Sequence, residues 1–232
     1  MIAVIGDIHG CFYTLKDLVD KIRSTYPQAA IYCVGDLVDR GNFSLETIDF
    51  IRNQGIIATS GNHDLMFYYS LTDPDNEIGK CWVFNGCETT MASYSNQQDK
   101  VAEHLNYVAN LPLYINLEDC FISHAGVSTF FNDDLSPYPL SDEIKFHDLI
   151  KTNINREHGI IWNREHLMDL GKLQIVGHTR QNNVNHLKSN NVAYVDTSVY
   201  TGNKLSSVIV EEGKIINTLS VNTFPRDIEK LS

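Results

Sequence analysis

The sequence is short of several features that define whole classes of protein. No apolar run in its 232 residues approaches the length of about 20 residues that a membrane-spanning helix needs. Its first residues lack the basic stretch, apolar core and cleavage site of a secretory signal. Its five cysteines lack zinc-ribbon or CxxC spacing, which argues against disulfides or a zinc ribbon. We therefore expect a cytoplasmic protein with buried or free thiols and no membrane partner.

Positive charge is also scarce. The chain has 18 Lys and Arg against 29 Asp and Glu, a formal net charge of -11. Because a nucleic-acid-binding module usually presents a basic face, we do not expect a nucleic-acid partner. The hydrophobic content of 43% is ordinary for a globular protein. The length allows one large or two small domains, and the spread of the Asp, Asn and His motifs along the chain favours one domain over residues 1–232.

Five short apolar runs lead directly into loops that carry Asp, Asn or His. These loops are Gly6-Asp7-Ile8-His9-Gly10, Gly35-Asp36-Leu37-Val38-Asp39-Arg40-Gly41, Gly61-Asn62-His63-Asp64, Ser123-His124-Ala125-Gly126 and Gly177-His178-Thr179. Each loop alone could be an ordinary turn, but five with the same residue types are improbable as turns only. Ligands bind beyond the carboxyl ends of strands in α/β sheets, so we predict that the five loops converge.

Helical spacing between the first three runs predicts a β-α-β-α-β order with parallel strands. Leu15 to Ile22 and Leu45 to Ile51 carry the apolar positions of two amphipathic helices, the second with Ser44 as a possible N-cap. The second half is rich in short strands, and Glu211-Glu212-Gly213 fits a hairpin turn. The pattern indicates an α/β fold.

Taken together, the five loops resemble the signature of the calcineurin-like metallophosphoesterases. Their closest likeness is to the bacterial and phage serine/threonine phosphoprotein phosphatase branch of that family. This resemblance implies an α-β-β-α sandwich with mixed sheets and a short cap insertion. We place the cap-like insertion at roughly residues 65–111, where the strand pattern is interrupted.

The residue types in these loops suit a two-metal centre. Asp7 and His9 are two apart, so on an extended strand exit they point to the same side, and Asp36 has two oxygens with which to bridge. By resemblance, one ion is held by Asp7, His9 and Asp36, and the second by Asp36, Asn62, His124 and His178. Mixed nitrogen and oxygen ligands suit Mn, Fe or Zn and disfavour copper. We expect two divalent ions, with Mn the first choice.

Such a pair of ions can activate a hydroxide for direct in-line attack on phosphorus, without a covalent phosphoenzyme. The resemblance assigns His63 as the general acid and Asp39 as the carboxylate that orients it. The alternative for His63 is that it only caps the following helix. Arg40 can bind phosphate oxygens bidentately, and Arg164 resembles a second phosphate-binding arginine, although a Trp-x-Arg-Glu string is also common on helix surfaces.

Several positions outside the ligand set remain open. Ser60 stands where relatives often have Arg, Asp64 where Glu is usual, and Ser198 where Gly follows an Asp-Thr pair, which leaves Asp196 as at most an indirect contributor. The charged tail at 225–232 is expected to be exposed.

Aromatic and histidine residues outside the motifs have an ordinary interpretation. Trp82, Phe84 and Tyr94 could line a substrate groove, but such residues belong to the local core more often. His104, like the other four histidines that match no motif, is expected on the surface.

Three functions fit these features. The first is a phosphomonoesterase that removes phosphate from phosphoserine, phosphothreonine and possibly phosphotyrosine in proteins, or from small phosphoesters. The second is a symmetric dinucleoside polyphosphate hydrolase, against which the sparse basic residues of 65–170 weigh modestly. The third is a non-catalytic binding module in which a metal only staples the fold, disfavoured because no catalytic position is lost.

Overall fold

The computed structural model of the chain describes residues 1–229, so the last three positions of the charged tail lie outside the described residues. Within that range the first of two mixed sheets is built from β1 (Ile2–Ile5), β2 (Ala30–Cys33), β3 (Ile57–Ala58), β9 (Lys204–Glu211) and β10 (Lys214–Asn222). The strand order is β10-β9-β1-β2-β3. Strands β1, β2 and β3 are parallel, and β9 pairs antiparallel with both β1 and β10.

The second sheet contains β4 (Tyr114–Asn116), β5 (Cys120–Ser123), β6 (Leu173–Val176), β7 (Asn185–Leu187) and β8 (Val192–Tyr194). Its order is β4-β5-β6-β8-β7, with β5, β6 and β8 parallel and the two edge strands antiparallel. The β-α-β-α-β order that the sequence predicts for the first three strands, β1, β2 and β3 of the first sheet, is confirmed. Strand β7 was not predicted, because its residues are all exposed and show no apolar alternation.

Two apolar clusters show how the layers stack. Along β1, Ile2 and Val4 belong to the cluster between the sheets, whereas Ala3 and Ile5 belong to the cluster under the helices. This alternation follows from the two-residue period of a strand. The layers therefore form the expected α-β-β-α sandwich.

Helices cover the outer faces of both sheets. The helices in chain order are α1 (Phe12–Thr25), α2 (Ser44–Asn53), α3 (Asn62–Thr72), α4 (Glu77–Lys80), α5 (Cys87–Ser93), α6 (Gln98–Ala109), α7 (Asn132–Leu135), α8 (Glu143–Thr152) and α9 (Pro225–Ile228). On the second sheet, Phe146 of α8 meets Phe121 of β5 edge to face. No helix within residues 1–229 combines the length and apolar character that crossing a bilayer requires.

The segment proposed as a cap folds as α3 to α6 with a 3₁₀ turn at Trp82–Phe84. Trp82 and Tyr94 are 3% and 5% exposed, so they belong to the core, while Phe84 is 86% exposed. His104 is fully buried, with Nδ1 near the hydroxyl of Tyr94 and Nε2 near Asp49. The expectation that His104 lies on the surface was wrong, because a network of polar partners compensates for its burial.

Two helix ends also differ from expectation. Ser44 is the first residue of α2 rather than its cap, and its hydroxyl accepts from the backbone N–H of Asp39. The tail is not wholly exposed: Asp227 is buried and accepts from the backbone N–H groups of Tyr13 and Thr14 at 3.0 and 2.8 Å. Asp227 thus caps α1 from the far end of the chain, since Cys11 at its N-cap position makes no side-chain cap.

Candidate metal centre

The six predicted metal ligands lie at the carboxyl ends of five parallel strands. They are Asp7 and His9 after β1, Asp36 after β2, Asn62 after β3, His124 after β5 and His178 after β6. All six are buried, none more than 6% exposed. The sandwich thus brings residues that are 171 positions apart in sequence into one cluster, as the strand-end argument requires.

Asp36 occupies the middle of this cluster. Its Oδ2 lies 3.5 Å from Nε2 of His9 and 3.5 Å from Nε2 of His124. Ligand atoms within 4.8 Å of one another form two groups, His9, Asp36 and His63, and Asp7, Asp36 and His124. Asp36 belongs to both, as expected of a bridge. Asp7 and His9 each lie beside Asp36, in different groups, and that they share one ion stays a prediction.

Backbone carbonyls fix the tautomers of the three histidines in the predicted ligand set. Each donates one ring N–H: His9 Nδ1 to Val38 at 3.0 Å, His124 Nδ1 to Val34 at 2.9 Å, and His178 Nε2 to Trp162 at 3.1 Å. The other nitrogen of each ring then presents a lone pair, the orientation that a metal-binding histidine needs.

As a result, hydrogen-bond acceptor atoms of neighbouring ligands face one another at the centre of the cluster. Nε2 of His124 lies 3.0 Å from Oδ1 of Asn62 and 3.2 Å from Nδ1 of His178. With both ring protons committed to carbonyls, no hydrogen lies between these atoms. Such contacts between lone pairs become favourable when a cation lies among them, so the donor set fits a metal site.

Electrostatics supports the same reading. Burial, followed by the Arg40 guanidinium, lowers the pKa of His9, and burial lowers the pKa of His178 to about 2. Burial raises the pKa of Asp7, as do the nearby charges of Asp196 and Asp36. Burial opposes ionisation of Asp36, but the surrounding histidines in their protonated form, together with the Arg40 guanidinium, hold its pKa below its usual range. Neutral imidazoles beside crowded carboxylates are the state that binds divalent cations.

Backbone strain is concentrated at the same residues. Five non-glycine residues of the site have left-handed φ angles: His9 at 47°, Asp36 at 52°, Asp39 at 71°, Arg40 at 72° and His178 at 61°. Such conformations cost roughly 1–2 kcal/mol each for an L-residue, and they cluster at functional sites. The surrounding structure must therefore hold these residues in place.

Two glycines and one carboxylate provide that support. A side chain at Gly61 would overlap the carboxylate of Asp36, and one at Gly177 would overlap that of Asp7. Asp64 is fully buried and accepts from the backbone N–H groups of Asp36, Leu37 and Gly61 at 2.8–2.9 Å. Sequence reasoning noted Asp64 only as a replacement for Glu, so it missed that this residue positions the bridge.

The proposed acid and its orienting carboxylate are in contact. Nδ1 of His63 lies 2.7 Å from Oδ2 of Asp39, and both side chains are buried. Asp39 also accepts from Nε1 of Trp82, at 2.9 and 3.0 Å to its two oxygens, and from the hydroxyl of Thr90 at 2.7 Å. Trp82 and Thr90 carry no motif, so no local signal in the sequence identifies their contact with Asp39.

Three arginines surround the cluster. Nη1 of Arg40 donates to Nε2 of His9 at 2.8 Å, and Arg164, in a loop rather than on a helix, donates to the carbonyl of His178 at 3.0 Å. Arg180 donates to the hydroxyl of Tyr200 at 3.2 Å, and the guanidinium of Arg40 lies 4.3 Å from the centre of the Tyr200 ring. Sequence reasoning did not select Arg180 or Tyr200, although Arg180 is two positions after His178.

The departures from the family pattern now have a structural description. Ser60 is buried, and within residues 1–229 its hydroxyl has no hydrogen-bond partner. Ser198 has a left-handed φ of 60°, which explains why glycine would suit this position. Asp196 is buried beside Asp7 and accepts from the backbone N–H of Ser198 at 2.8 Å.

Relatives of the chain were identified by sequence. A bis(5'-nucleosyl)-tetraphosphatase, symmetrical, from Vibrio campbellii is 31% identical over 133 residues, which are 56% of this chain and 46% of the relative. An asymmetrical bis(5'-nucleosyl)-tetraphosphatase from Halalkalibacterium halodurans is 30% identical over 155 residues, 58% of this chain and 59% of the relative. The chain thus spans about half the length of the curated relatives it matches.

Structural comparison and family assignment agree with the geometry. A cold-active protein-tyrosine phosphatase of the psychrophile Shewanella sp. has a TM-score of 0.63 at 17% identity, with 96% of this chain and 80% of that one covered. At this identity the likeness establishes the fold alone. The family model for calcineurin-like phosphoesterases matches residues 1–206. Given this match over most of its length, the chain belongs to the calcineurin-like phosphoesterase family.

Proposed function

We propose that this protein is a metal-dependent phosphoester hydrolase that cleaves dinucleoside polyphosphates. The observation that carries the metal dependence is the contact of acceptor with acceptor among Asn62, His124 and His178, with Asp36 shared between the two ligand groups. The ions would be held by Asp36 together with the other five predicted ligands: Asp7, His9, Asn62, His124 and His178. Nitrogen and oxygen ligands in this mixture suit Mn, Fe or Zn, with Mn our first choice.

When bound, such ions supply activation of water and neutralisation of charge on phosphoryl oxygens. The chain's own residues would do the rest. His63, held at Nδ1 by Asp39, would give its proton to the oxygen that leaves phosphorus. Arg40 and Arg164 would bind phosphoryl oxygens, a role for which the planar guanidinium is suited.

Two features favour a polyphosphate substrate over a phosphoprotein. The curated relatives are named as bis(5'-nucleosyl)-tetraphosphatases, which supports the second sequence-based hypothesis better than the first. In addition, Arg180 extends the cationic surface beyond Arg40, since both guanidiniums contact Tyr200, and this eases the objection that basic residues are sparse. A chain of phosphates needs several such cations, whereas a single phosphoester head group needs fewer.

A substrate panel tests this proposal. The Mn-loaded protein should hydrolyse diadenosine tetraphosphate with a higher kcat/KM than phosphoserine peptides, phosphotyrosine peptides or p-nitrophenyl phosphate, and a chelator should remove the activity. A preference for the phosphopeptides would instead support a protein phosphatase. Absence of turnover on every member with any of Mn, Fe or Zn would support a non-catalytic binding module.

Matched variants test the residue roles. Asp36→Asn and His63→Asn should abolish or strongly depress turnover without unfolding the protein, because one removes a ligand charge and the other the proton donor. The controls are Asp17→Asn and His186→Asn, which make the same substitutions at exposed positions away from the site. Wild-type rates in Asp36→Asn or His63→Asn would contradict the assigned roles.

A further inference from the structure

A cleft of about 510 Å³ lies beside the metal centre. One wall comes from α4 and the residue after it, with Ile78 and Cys81, and the other from the loop that contains Trp162 and Arg164. Its volume lies within the range of roughly 300–1,000 Å³ that is usual for small-molecule sites. Of its lining residues, only Arg164 has a role assigned above.

Both walls are joined to residues that hold the metal centre. The carbonyl of Trp162 accepts from Nε2 of His178 at 3.1 Å, and Arg164 donates to the carbonyl of the same histidine at 3.0 Å. On the opposite wall, Cys81 precedes Trp82, whose indole donates to Asp39. The cleft therefore adjoins the metal centre through residues of both walls.

The lining indicates the chemistry of the occupant. Ile78, Cys81 and the indole of Trp162 offer an apolar surface, and the Trp162 ring lies edge to face with that of His178, 6.5 Å between centres. Aromatic side chains of this kind bind planar rings by stacking.

Acidic side chains slightly outnumber basic ones around the cleft. Its lining includes three carboxylates, Glu77, Glu157 and Glu165, and two guanidiniums, Arg156 and Arg164. This excess disfavours a second phosphate chain in the cleft. The acidic excess suits an uncharged ring whose N–H groups donate hydrogen bonds to carboxylates, as a purine base does.

We propose that the cleft is the nucleoside subsite of the enzyme and binds the base and sugar of a substrate whose phosphate lies at the metal centre. This inference rests on the proposed function and adds the group that is recognised. Polyphosphate binding falls to Arg40, Arg164 and Arg180, and recognition of the nucleoside falls to Ile78 and Trp162, with Cys81 at the edge of the same wall.

A binding experiment tests the subsite without turnover. The chain has two tryptophans, and Trp82 is 3% exposed whereas Trp162 is half-buried in the cleft wall, so quenching by a stacked base reports Trp162. Cys81 is the exposed cysteine and the other four are buried, so N-ethylmaleimide under native conditions modifies Cys81 and fills the cleft. Adenosine should quench the fluorescence saturably, ribose 5-phosphate should not, and alkylation should abolish the quenching.

The Cys81→Ser variant is the matched control, because the reagent should not change its response to adenosine. Quenching that persists after alkylation of the wild-type protein, or no quenching at millimolar adenosine, would overturn the subsite. Strong loss of phosphopeptide binding on alkylation, with no response to adenosine, would assign the cleft to a peptide and would also overturn it.

Kinetics separate the subsite from the proposed function. Alkylation should lower the ratio of kcat/KM for diadenosine tetraphosphate to that for inorganic tripolyphosphate by about 10- to 100-fold, the range expected when one base stack is lost. An unchanged ratio in an enzyme that hydrolyses diadenosine tetraphosphate would refute the subsite and leave the function standing. Adenosine quenching that alkylation removes, in a protein that does not hydrolyse diadenosine tetraphosphate, would refute the function and leave the subsite standing.

Discussion

Replacement of Trp82 by phenylalanine is expected to impair proton donation without disturbing the metal ligands. The carboxylate of Asp39 accepts from three side chains, Nδ1 of His63, Nε1 of Trp82 and the hydroxyl of Thr90. Only the indole N–H among these donors contacts both carboxylate oxygens, at 2.9 and 3.0 Å. Phenylalanine keeps most of the apolar volume of Trp82 and removes that N–H. Asp39 then loses the contact that fixes its rotation against His63.

The size of the effect follows from the type of hydrogen bond. A bond to a charged group contributes about 1.5–3 kcal/mol, and each 1.36 kcal/mol in the activation free energy is a factor of ten. If the lost orientation is expressed in the transition state, the rate of a step that needs the proton falls by roughly 10- to 100-fold. This stays within the contribution of about 10²- to 10⁴-fold that is typical of general acid catalysis.

The assay compares leaving groups on the Mn-loaded protein. Phenyl phosphate releases phenolate, whose conjugate acid has a pKa like that of a tyrosine side chain, about 10, and so needs the proton. The phenol released from p-nitrophenyl phosphate is far more acidic, so its anion leaves without the proton. Trp82→Phe should reduce kcat for phenyl phosphate by the predicted factor and change kcat for p-nitrophenyl phosphate little. Phe84→Leu, an aromatic replacement at an 86% exposed position of the same 3₁₀ turn, is the control.

Equal losses on both substrates would refute this reasoning, because they would show that Trp82 acts through the fold or the metal centre. Unchanged rates on both would show that Asp39 holds His63 without the indole.

Four further outcomes concern stability. Ser198→Gly should raise the unfolding free energy by up to about 1 kcal/mol in a urea titration, because it relieves a left-handed residue at the entropic cost of glycine. Asp227→Ala should lower the unfolding free energy by about 1–3 kcal/mol, because it leaves buried donors at the start of α1 unpaired. Burial lowers the pKa of His104 below its usual value near 6.5, so as the pH falls the unfolded chain takes up a proton before the folded one does. The unfolding free energy should therefore decrease as the pH is lowered from about 7 to 5, and it should decrease less steeply in His104→Gln than in the wild type. Saturating Mn²⁺ should raise the melting temperature, with about 2.7 kcal/mol of stabilisation at 100 times Kd.

Each of these has a contradicting result and a control. Ser198→Ala should not stabilise, and equal gains from Ala and Gly would exclude relief of backbone strain as the cause. Asp17→Asn, an exposed carboxylate of α1, should be neutral where Asp227→Ala is not. An unfolding free energy that depends on pH in the same way in wild type and His104→Gln would show that His104 does not contribute to the loss of stability in acid. An Mn²⁺ shift that persists in Asp36→Asn would locate the binding elsewhere.

The parallel strand order and the convergence of the six predicted ligands could be anticipated because their signals are local. An apolar run that ends in glycine and a carboxylate identifies a strand exit wherever it occurs, and helical spacing between two such runs identifies a parallel crossover. The local backbone conformation of the ligands could not be anticipated. His9 leaves the extended conformation that the sequence argument assumed, with a left-handed φ of 47°, so the two-residue spacing from Asp7 does not by itself fix where its ring lies.

The residues that support the site were missed for a different reason. Trp82 and Thr90 reach Asp39 across 43 and 51 positions, and Asp227 reaches Thr14 across 213. No period or turn preference encodes such contacts, because they arise only when separate layers meet. His104 was misplaced by the same limitation, since a histidine in a polar stretch gives no sign that Tyr94 and Asp49 lie around it.

The strain at the metal centre and its charge have a common consequence. Asp36 and His178 adopt left-handed conformations while buried carboxylates crowd one another, and both features oppose folding of the protein part alone. The compensation comes from outside the ligand set, from the three N–H groups that Asp64 accepts and from the space left by Gly61 and Gly177. Because this supporting shell is buried and hydrogen-bonded, it holds the donor atoms close together, and this reduces the conformational entropy that cation binding has to remove.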